Sequence, residues 1–171
     1  MLIPVFISAP STDNLNPGQR AVYEAIIAAI GDVGLEERRL GQSDYPDQAP
    51  LNEVIQIARR CSGGIVLGFA QVLVQSGVVK PGVQDKILSN AIFPTPWNHL
   101  EAGILFSLRL PVLVFREKGI SGGIFDEGVT DVFIHRMPTV EDFAKKAGSV
   151  RQVLMKWQAR VRRHYYEWES L

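Results

Sequence analysis

Short apolar runs alternate along the chain with segments in which apolar residues recur every three or four positions. Continuous apolar runs rich in β-branched residues are typical of strands buried on both faces of a sheet, and the three- to four-residue spacing is typical of helices. The runs predict strands at residues 2–7, 35–40, 64–69, 111–115 and 131–135. The spacing predicts helices at residues 17–30, 50–60 and 100–108.

Strands that alternate with helices predict right-handed βαβ crossovers, and hence a parallel sheet with helices on both faces. We therefore expect a flavodoxin-like α/β fold, doubly wound, with a mainly parallel five-stranded sheet of order 2-1-3-4-5. The segment at residues 35–40 is too polar for a central strand. In such sheets the ligand lies beyond the carboxyl ends of the strands, beside the point where the strand order reverses. Those ends are followed here by residues 8–12, 68–71 and 116–119.

Two segments interrupt this alternation. Residues 70–96 form a longer connection than two neighbouring elements need, and such loops commonly serve as lids, binding loops or oligomer contacts. Residues 149–168 carry apolar side chains at helical spacing, which predicts an amphipathic terminal helix. We expect its apolar stripe to pack on the sheet, with a dimer contact or a membrane surface as alternatives. Trp157 lies on the stripe, and we expect it to be largely buried.

Composition limits the class of protein. A length of 171 residues with 46% hydrophobic and 21% charged residues fits one soluble globular domain over residues 1–171. The single cysteine, Cys61, excludes an internal disulfide and a cysteine-based zinc site, and the three histidines are too scattered for a metal site. We expect no metal and no cofactor. Because the chain has neither a long apolar run nor a basic start, we expect a cytoplasmic protein that does not bind a membrane.

The charge distribution and the absence of certain motifs exclude further classes of protein. The net charge is zero, but residues 145–171 hold seven basic and two acidic residues. A solvated helix face explains this asymmetry better than a nucleic-acid surface, so nucleic acid is not an expected partner. The glycine patterns of dinucleotide-binding and phosphate-binding loops are absent, as are the serine-hydrolase and zinc-protease motifs.

The most informative stretch is P-T-P-W-N-H-L-E-A-G-I-L-F-S-L at residues 94–108. Thr95 or Asn98 can cap the predicted helix, which places Glu101 in its first turn. The helix dipole favours a carboxylate there and keeps it ionised. A glutamate that only stabilises the start of the helix would give the same sequence pattern. Gly103 inside a helix costs about 1 kcal/mol relative to alanine, which predicts the close approach of another backbone or a ligand.

This helix, followed at once by the strand L-P-V-L-V-F, resembles the E-L-G-x-A helix of the nucleoside 2-deoxyribosyltransferase superfamily. That superfamily includes deoxynucleotide N-glycosidases, and its fold is close to the TIR domains that cleave NAD. V-F-I-S-A-P-S resembles its first strand and substrate loop, and C-S-G-G-I-V-L-G-F-A-Q resembles its third strand. The chain departs from the family at residues 62–64, where S-G-G replaces the usual aspartate, and in the longer segment 70–96.

The resemblance implies a role for each matching residue. It makes Glu101 the catalytic carboxylate and places Ser8 and Ser11 in the loop that contacts ribose or phosphate. Gln71 approximates the polar residue that follows the third strand. The remaining members of the expected substrate-binding set are Trp97 and Asn98.

The implied chemistry is the cleavage of an N-glycosidic bond, which develops positive charge on the sugar that a carboxylate can stabilise or attack. Trp97 can stack on a base or serve only as an apolar staple for the helix, and His99 can donate to a leaving base or simply lie at the surface.

Three functions stay open. The first is an N-glycosidase or transferase acting on a nucleoside, deoxynucleotide or NAD through Glu101. The second is a non-catalytic nucleotide-sensing module of a signalling or defence system, and the third is an interaction protein. The S-G-G departure favours sensing, and W-N-H-L-E-A-G favours catalysis. Because related sites are frequently completed by a neighbouring subunit, we expect a homo-oligomer.

Overall fold

The computed structural model describes residues 2–40, 49–145 and 148–169. Residues 168 and 169 are described in backbone only. Its strands are β1 (Ile3–Ser8), β2 (Leu35–Arg38), β3 (Gly64–Gly68), β4 (Val72–Val79), β5 (Lys86–Phe93), β6 (Val112–Arg116) and β7 (Ile134–Arg136). Its α-helices are α1 (Pro17–Asp32), α2 (Pro50–Arg59), α3 (Pro96–Ser107), α4 (Val140–Ala144) and α5 (Ser149–Glu169).

The main sheet has five strands in the order β2-β1-β3-β6-β7, and its neighbouring strands pair in parallel. This is the predicted order 2-1-3-4-5, so the flavodoxin-like fold is confirmed. The polar strand β2 lies at an edge, where Leu35 is buried and the three residues after it are half-buried. The strand order reverses between β1 and β3, which makes the carboxyl ends of these two strands the expected ligand site.

Each face of the sheet has its own core. On one face, Ile7, Ile65 and Leu67 pack with the buried sides of α1 and α5. On the other face, Phe6 and Val66 pack with α2 and α3. Because successive side chains of a strand point to opposite faces of the sheet, each short apolar run contributes side chains to both cores.

Residues 70–96 contain an antiparallel hairpin, formed by β4 and β5. Its base is joined to the rest of the fold by a bridge between Ile92 and Ile120. The exposed apolar side chains of the hairpin are those of Val72, Leu73, Val78, Val79, Val83, Ile87 and Phe93. The long connection is thus an ordered arm with an unusually apolar surface.

The amphipathic helix α5 packs on the sheet, as its stripe predicts. Trp157 is only 4% exposed, and its indole nitrogen donates a hydrogen bond to the carbonyl oxygen of Pro111 at 2.9 Å. Val161 is completely buried in the same core. Trp168, the last residue assigned to the stripe, has a side chain outside the described part of the chain.

The S-G-G sequence at the start of β3 has a packing reason. A Cβ atom on Gly63 would lie 2.6 Å from Cγ2 of Val161 and 3.2 Å from the carbonyl oxygen of Pro111. A Cβ atom on Gly64 would lie 2.5 Å from Cδ1 of Leu105. Glycine at these two positions lets α5 and α3 approach the sheet closely from opposite faces.

Gly63→Ala is expected to lower the free energy of unfolding by about 1–3 kcal/mol, because the added methyl group overpacks a β-branched side chain and a backbone carbonyl. Denaturant unfolding measures the change. Gly103→Ala is the matched control, since Gly103 is exposed on α3 and has open space around it; there we expect a gain of about 1 kcal/mol. A Gly63→Ala protein as stable as the parent would contradict the packing argument.

The described residues contain neither a helix long and apolar enough to cross a membrane nor a group of three or more His, Cys, Asp and Glu side chains that could hold a metal ion.

Candidate active site

A pocket of about 440 Å³ lies beyond the carboxyl ends of β1 and β2, beside the point where the strand order reverses. It is bordered by the loop after β1, the end of β2, the base of the hairpin and the start of α3. The residues that line it are Ala9, Pro10, Ser11, Asn14, Arg39, Leu40, Gln71, Thr95, Trp97 and Glu101. Four of the six predicted site residues therefore meet in one pocket.

Glu101 lines this pocket from the second turn of α3. The helix begins at Pro96, and the hydroxyl of Thr95 caps it by accepting a hydrogen bond from the backbone nitrogen of Trp97 at 3.3 Å. The prediction that Glu101 occupies the first turn is therefore wrong, because Thr95 rather than Asn98 is the cap. The dipole effect is concentrated in the first turn and gives Glu101 less support than expected.

The carboxyl group of Glu101 is correspondingly easy to protonate. Burial raises its pKa to about 7, against a hydrogen bond from Ser8 and the positive charge of Arg39, which both lower it. Its Oε2 atom is buried and has no hydrogen-bond partner within the described part of the chain. The pKa of Glu101 thus lies near neutral pH, whereas the sequence predicted a carboxylate that tends to stay ionised.

Ser8 ends β1, and Asn98 lies in the first turn of α3, three residues before Glu101. Both side chains are completely buried, and neither lines the pocket. The Asn98 Nδ2 atom donates to Ser8 Oγ at 2.8 Å and to the Ser8 carbonyl oxygen at 3.3 Å. Their expected contact with a ligand stays a prediction, and their observed partners are protein groups.

Arg39 is the pocket residue that the sequence did not single out. Its guanidinium donates to the carbonyl oxygens of Ala9 and Pro10, at 3.2 and 2.9 Å, and to the Tyr23 hydroxyl at 3.0 Å. Burial raises the pKa of Tyr23, so its phenol stays protonated and donates to the Glu37 carboxylate at 3.2 Å. Arg39 therefore shapes the loop after β1 and brings a buried positive charge to the wall of the pocket.

The other predicted binding residues occupy the rim. Trp97 is 41% exposed, so one face of a large aromatic ring is available at the start of α3. Ser11 is exposed in front of a short 3-10 turn at Thr12–Asn14. Gln71 stands at the base of the hairpin, where its Nε2 atom donates to the carbonyl oxygen of Asn14 at 3.3 Å.

Two residues near Glu101 do not serve the pocket as suggested. The His99 ring packs edge-on against Phe125, with the ring centres 5.6 Å apart, and lies beside Gly123. His99 is therefore directed away from the pocket lining. Gly103 is exposed and has no heavy atom within 4 Å of its missing Cβ, so the predicted close approach of another backbone is wrong, and the close approach of a ligand stays a prediction.

A second group of polar side chains fixes the base of the hairpin. Glu117, just after β6, accepts hydrogen bonds from the backbone nitrogen of Ala70 at 2.6 Å and from Gln19 Nε2 at 3.0 Å. Gln19 Nε2 also donates to the carbonyl oxygen of Ala70 at 3.3 Å. This clamp joins α1, β3 and β6 and so sets the position of the neighbouring Gln71.

Together these features give a carboxyl group that titrates near neutrality, a buried cation and an exposed aromatic ring around one cavity. A carboxylate can stabilise or attack a developing positive charge. An aromatic ring can stack on a planar group, and a cation can face a negative one.

Comparison with known proteins supports the assignment of the fold. No protein-family model matches the chain, and no curated protein matches it in sequence. A solved structure described as Clostridium botulinum CMP N-glycosidase, BcmB, is similar to it with a TM-score of 0.52 and 15% sequence identity. The match covers 90% of this chain and 98% of that chain. At this identity the likeness establishes the α/β fold over nearly the whole of both chains.

Proposed function

We propose that the protein cleaves or transfers the N-glycosidic bond of a nucleoside, a deoxynucleotide or NAD, and that Glu101 is the catalytic carboxylate. The observation that carries the proposal is the place of Glu101: a half-buried carboxyl group on the wall of the pocket beyond the carboxyl ends of the parallel strands. The resemblance of the α3 sequence to the nucleoside 2-deoxyribosyltransferase superfamily and the N-glycosidase name of the structural neighbour support it.

The reaction follows from the chemistry of the bond. As the base departs, the anomeric carbon develops positive charge, and the ionised Glu101 stabilises it or forms a covalent bond with it. Water then completes hydrolysis, or a second base completes transfer. Trp97 stacks on the base or the nicotinamide ring, and Ser11 and Gln71 contact the sugar or phosphate from the rim. Arg39 adds positive charge for a phosphate group. This scheme requires no metal and no cofactor.

The test is incubation of the protein with NAD, deoxynucleosides, deoxynucleoside monophosphates and CMP, with chromatography of the released base. We expect base release from at least one of them, at a rate that rises with pH and levels off above about 7, because the ionised form of Glu101 is the reactive one and its pKa is about 7. A rate that falls through this range would contradict the ionised role and make Glu101 a proton donor.

A nucleotide sensor of a signalling or defence system is the second candidate, and one observation favours it. Because burial raises the pKa of Glu101 to about 7, its carboxyl group can carry a proton near neutral pH and donate a hydrogen bond to a bound ligand instead of attacking it. Binding of one of the same compounds in calorimetry, with no base released at any pH, would favour this function over catalysis.

The remaining expectations are proposals of the same kind. Membership of the deoxyribosyltransferase or TIR-like group, a cytoplasmic location and a homo-oligomer are each consistent with the fold and stay predictions. The apolar hairpin, whose flanking residues Gln71 and Thr95 line the pocket, offers a surface for a contact between subunits beside Glu101.

A further inference from the structure

A second cavity lies at the other end of the sheet from the candidate active site. It has a volume of about 310 Å³ and is lined by residues 58–62, Leu108, Leu110, His164 and Tyr165. The segments that contain residues 58–62 and Leu110 lead into the amino ends of β3 and β6, which are neighbours in the sheet. This cavity and the candidate active site share no lining residue, so a molecule bound here would be a second ligand.

Most of the wall of the second cavity is apolar. Ala58 and Cys61 come from the end of α2, and Leu108 and Leu110 from the turn after α3. Tyr165, on α5, adds an aromatic side chain. A cavity of this size and lining is typical of a site for a small organic molecule, in which apolar walls enclose the body of the ligand and a few polar groups fix its orientation.

One polar atom in this wall lacks a protein partner. The Nδ1 atom of His164 is buried and makes no hydrogen bond within the described part of the chain. A buried polar atom without a partner destabilises the folded state, and a bound water, ion or ligand commonly supplies the missing hydrogen bond. Because an imidazole nitrogen can donate or accept a hydrogen bond, an acidic group is a suitable partner for it in either protonation state.

The acidic or basic side chains that line the second cavity are both arginines. Arg59 and Arg60 are exposed, and neither forms an ion pair with a described residue. Arg109, between Leu108 and Leu110 in the chain, is also exposed. The helices α2 and α3 end here, and each end carries roughly half a negative charge. Three full positive charges exceed these two partial charges, so the mouth of the cavity favours an anion.

We propose that the second cavity binds a small apolar molecule that carries one acidic group. The apolar body of the ligand packs between the leucines and Tyr165, and its acidic group lies toward His164 and the arginines at the mouth. This inference does not depend on the proposed cleavage of an N-glycosidic bond, because it concerns other residues at the opposite end of the sheet.

The experiment uses octanoate, octanol and octylamine, which share an apolar chain and differ in the charge of the head group. Octyl phosphate is added to show whether the acidic group is a carboxylate or a phosphate. Affinity is measured by calorimetry. The second measurement is the rate at which iodoacetamide alkylates Cys61, because this is the single cysteine of the chain and lies in the wall of the cavity.

We expect one of the two anions to bind about tenfold more tightly than octanol, octylamine to bind most weakly, and the bound anion to slow alkylation of Cys61 at least tenfold. Arg59→Gln and Arg60→Gln should each weaken binding of the anion by about two- to fivefold, as is usual for exposed ion pairs, and leave octanol unaffected. Arg151→Gln, at an exposed position near the start of α5, is the matched control and should bind like the parent.

Leu108→Trp fills the cavity from a half-buried position and should abolish binding of every probe. If this variant does not fold, the two arginine variants still test the proposal, since their side chains are exposed. Equal affinities for octanol and both anions would overturn the acidic class of ligand, and the absence of binding by every probe would overturn the site. Alkylation of Cys61 that slows as the protein concentration rises, with no probe bound, would show that a second copy of the chain covers the cavity in place of a ligand.

Discussion

Glu101→Gln is expected to lower the rate of base release at pH 8 by a factor of a hundred or more. Glutamine keeps the shape and the polar contacts of the side chain but has no charge to oppose the positive charge on the sugar in the transition state. The loss of such a charge partner in a half-buried site costs about 3 kcal/mol or more, which is at least a hundredfold in rate. The measurement is kcat for base release, followed by chromatography.

Substrate binding should change far less than the rate, because the ground-state substrate carries little charge at the anomeric carbon. Glu24→Gln, at an exposed position on α1, is the matched control and should retain the parent rate. Equal rates for Glu101→Gln and the parent would remove Glu101 from the mechanism. They would also leave the pocket with no identified reactive group.

Removal of residues 149–171 is expected to give insoluble or unfolded protein. The three most deeply buried side chains of α5, Leu154, Trp157 and Val161, each contribute about 1.5–3 kcal/mol by burial. Their total is comparable to the whole free energy of unfolding of an ordinary domain, about 5–15 kcal/mol. The truncation would also uncover the face of the sheet that Gly63 shapes for this helix.

The soluble fraction after expression, and circular dichroism of any soluble material, measure this effect. Trp157→Phe is a milder comparison, because it keeps an aromatic ring and loses the hydrogen bond to Pro111. It should fold with reduced stability. A soluble truncation with the helical content and unfolding cooperativity of the parent would contradict the role of α5 in the core.

The strand order could be predicted from sequence because the signal is local and repeated. Each central strand is a short run of β-branched and apolar residues, and the handedness of βαβ crossovers leaves few arrangements of such runs. The interruption at residues 70–96 also carries a local signal, since the turn of the hairpin includes K-P-G, with Lys80 and Gly82 at positive φ. That turn predicts a hairpin in a segment interpreted only as a long connection.

The site was harder to predict, because its properties come from neighbours distant in sequence. Pro96 is a favourable first residue of a helix, and that signal alone places Glu101 beyond the first turn. Its raised pKa depends on burial by several elements, which no local pattern records. Arg39 directly follows the polar edge strand β2 and looks like a surface residue until β2 is paired with β1.

The clamp at Ala70 shows the same difficulty. Glu117 and Gln19 are ordinary polar residues in sequence, 98 positions apart. Only the parallel order of β3 and β6 brings Glu117 to the backbone of Ala70. Residues whose function is to hold a backbone segment in place have no motif, because any donor or acceptor of suitable length can do so.

The hairpin has a consequence for the dynamics of the pocket. A two-stranded hairpin is at most marginally stable by itself, and β4 and β5 hydrogen-bond mainly to each other, outside the five-stranded sheet. Its amide protons should therefore exchange with solvent through local opening, faster than those of β1 and β3. Gln71, just before β4, and Thr95, just after β5, both lie at the base of the hairpin and line the pocket. A ligand that contacts them will slow exchange throughout the arm, including at residues that it never touches.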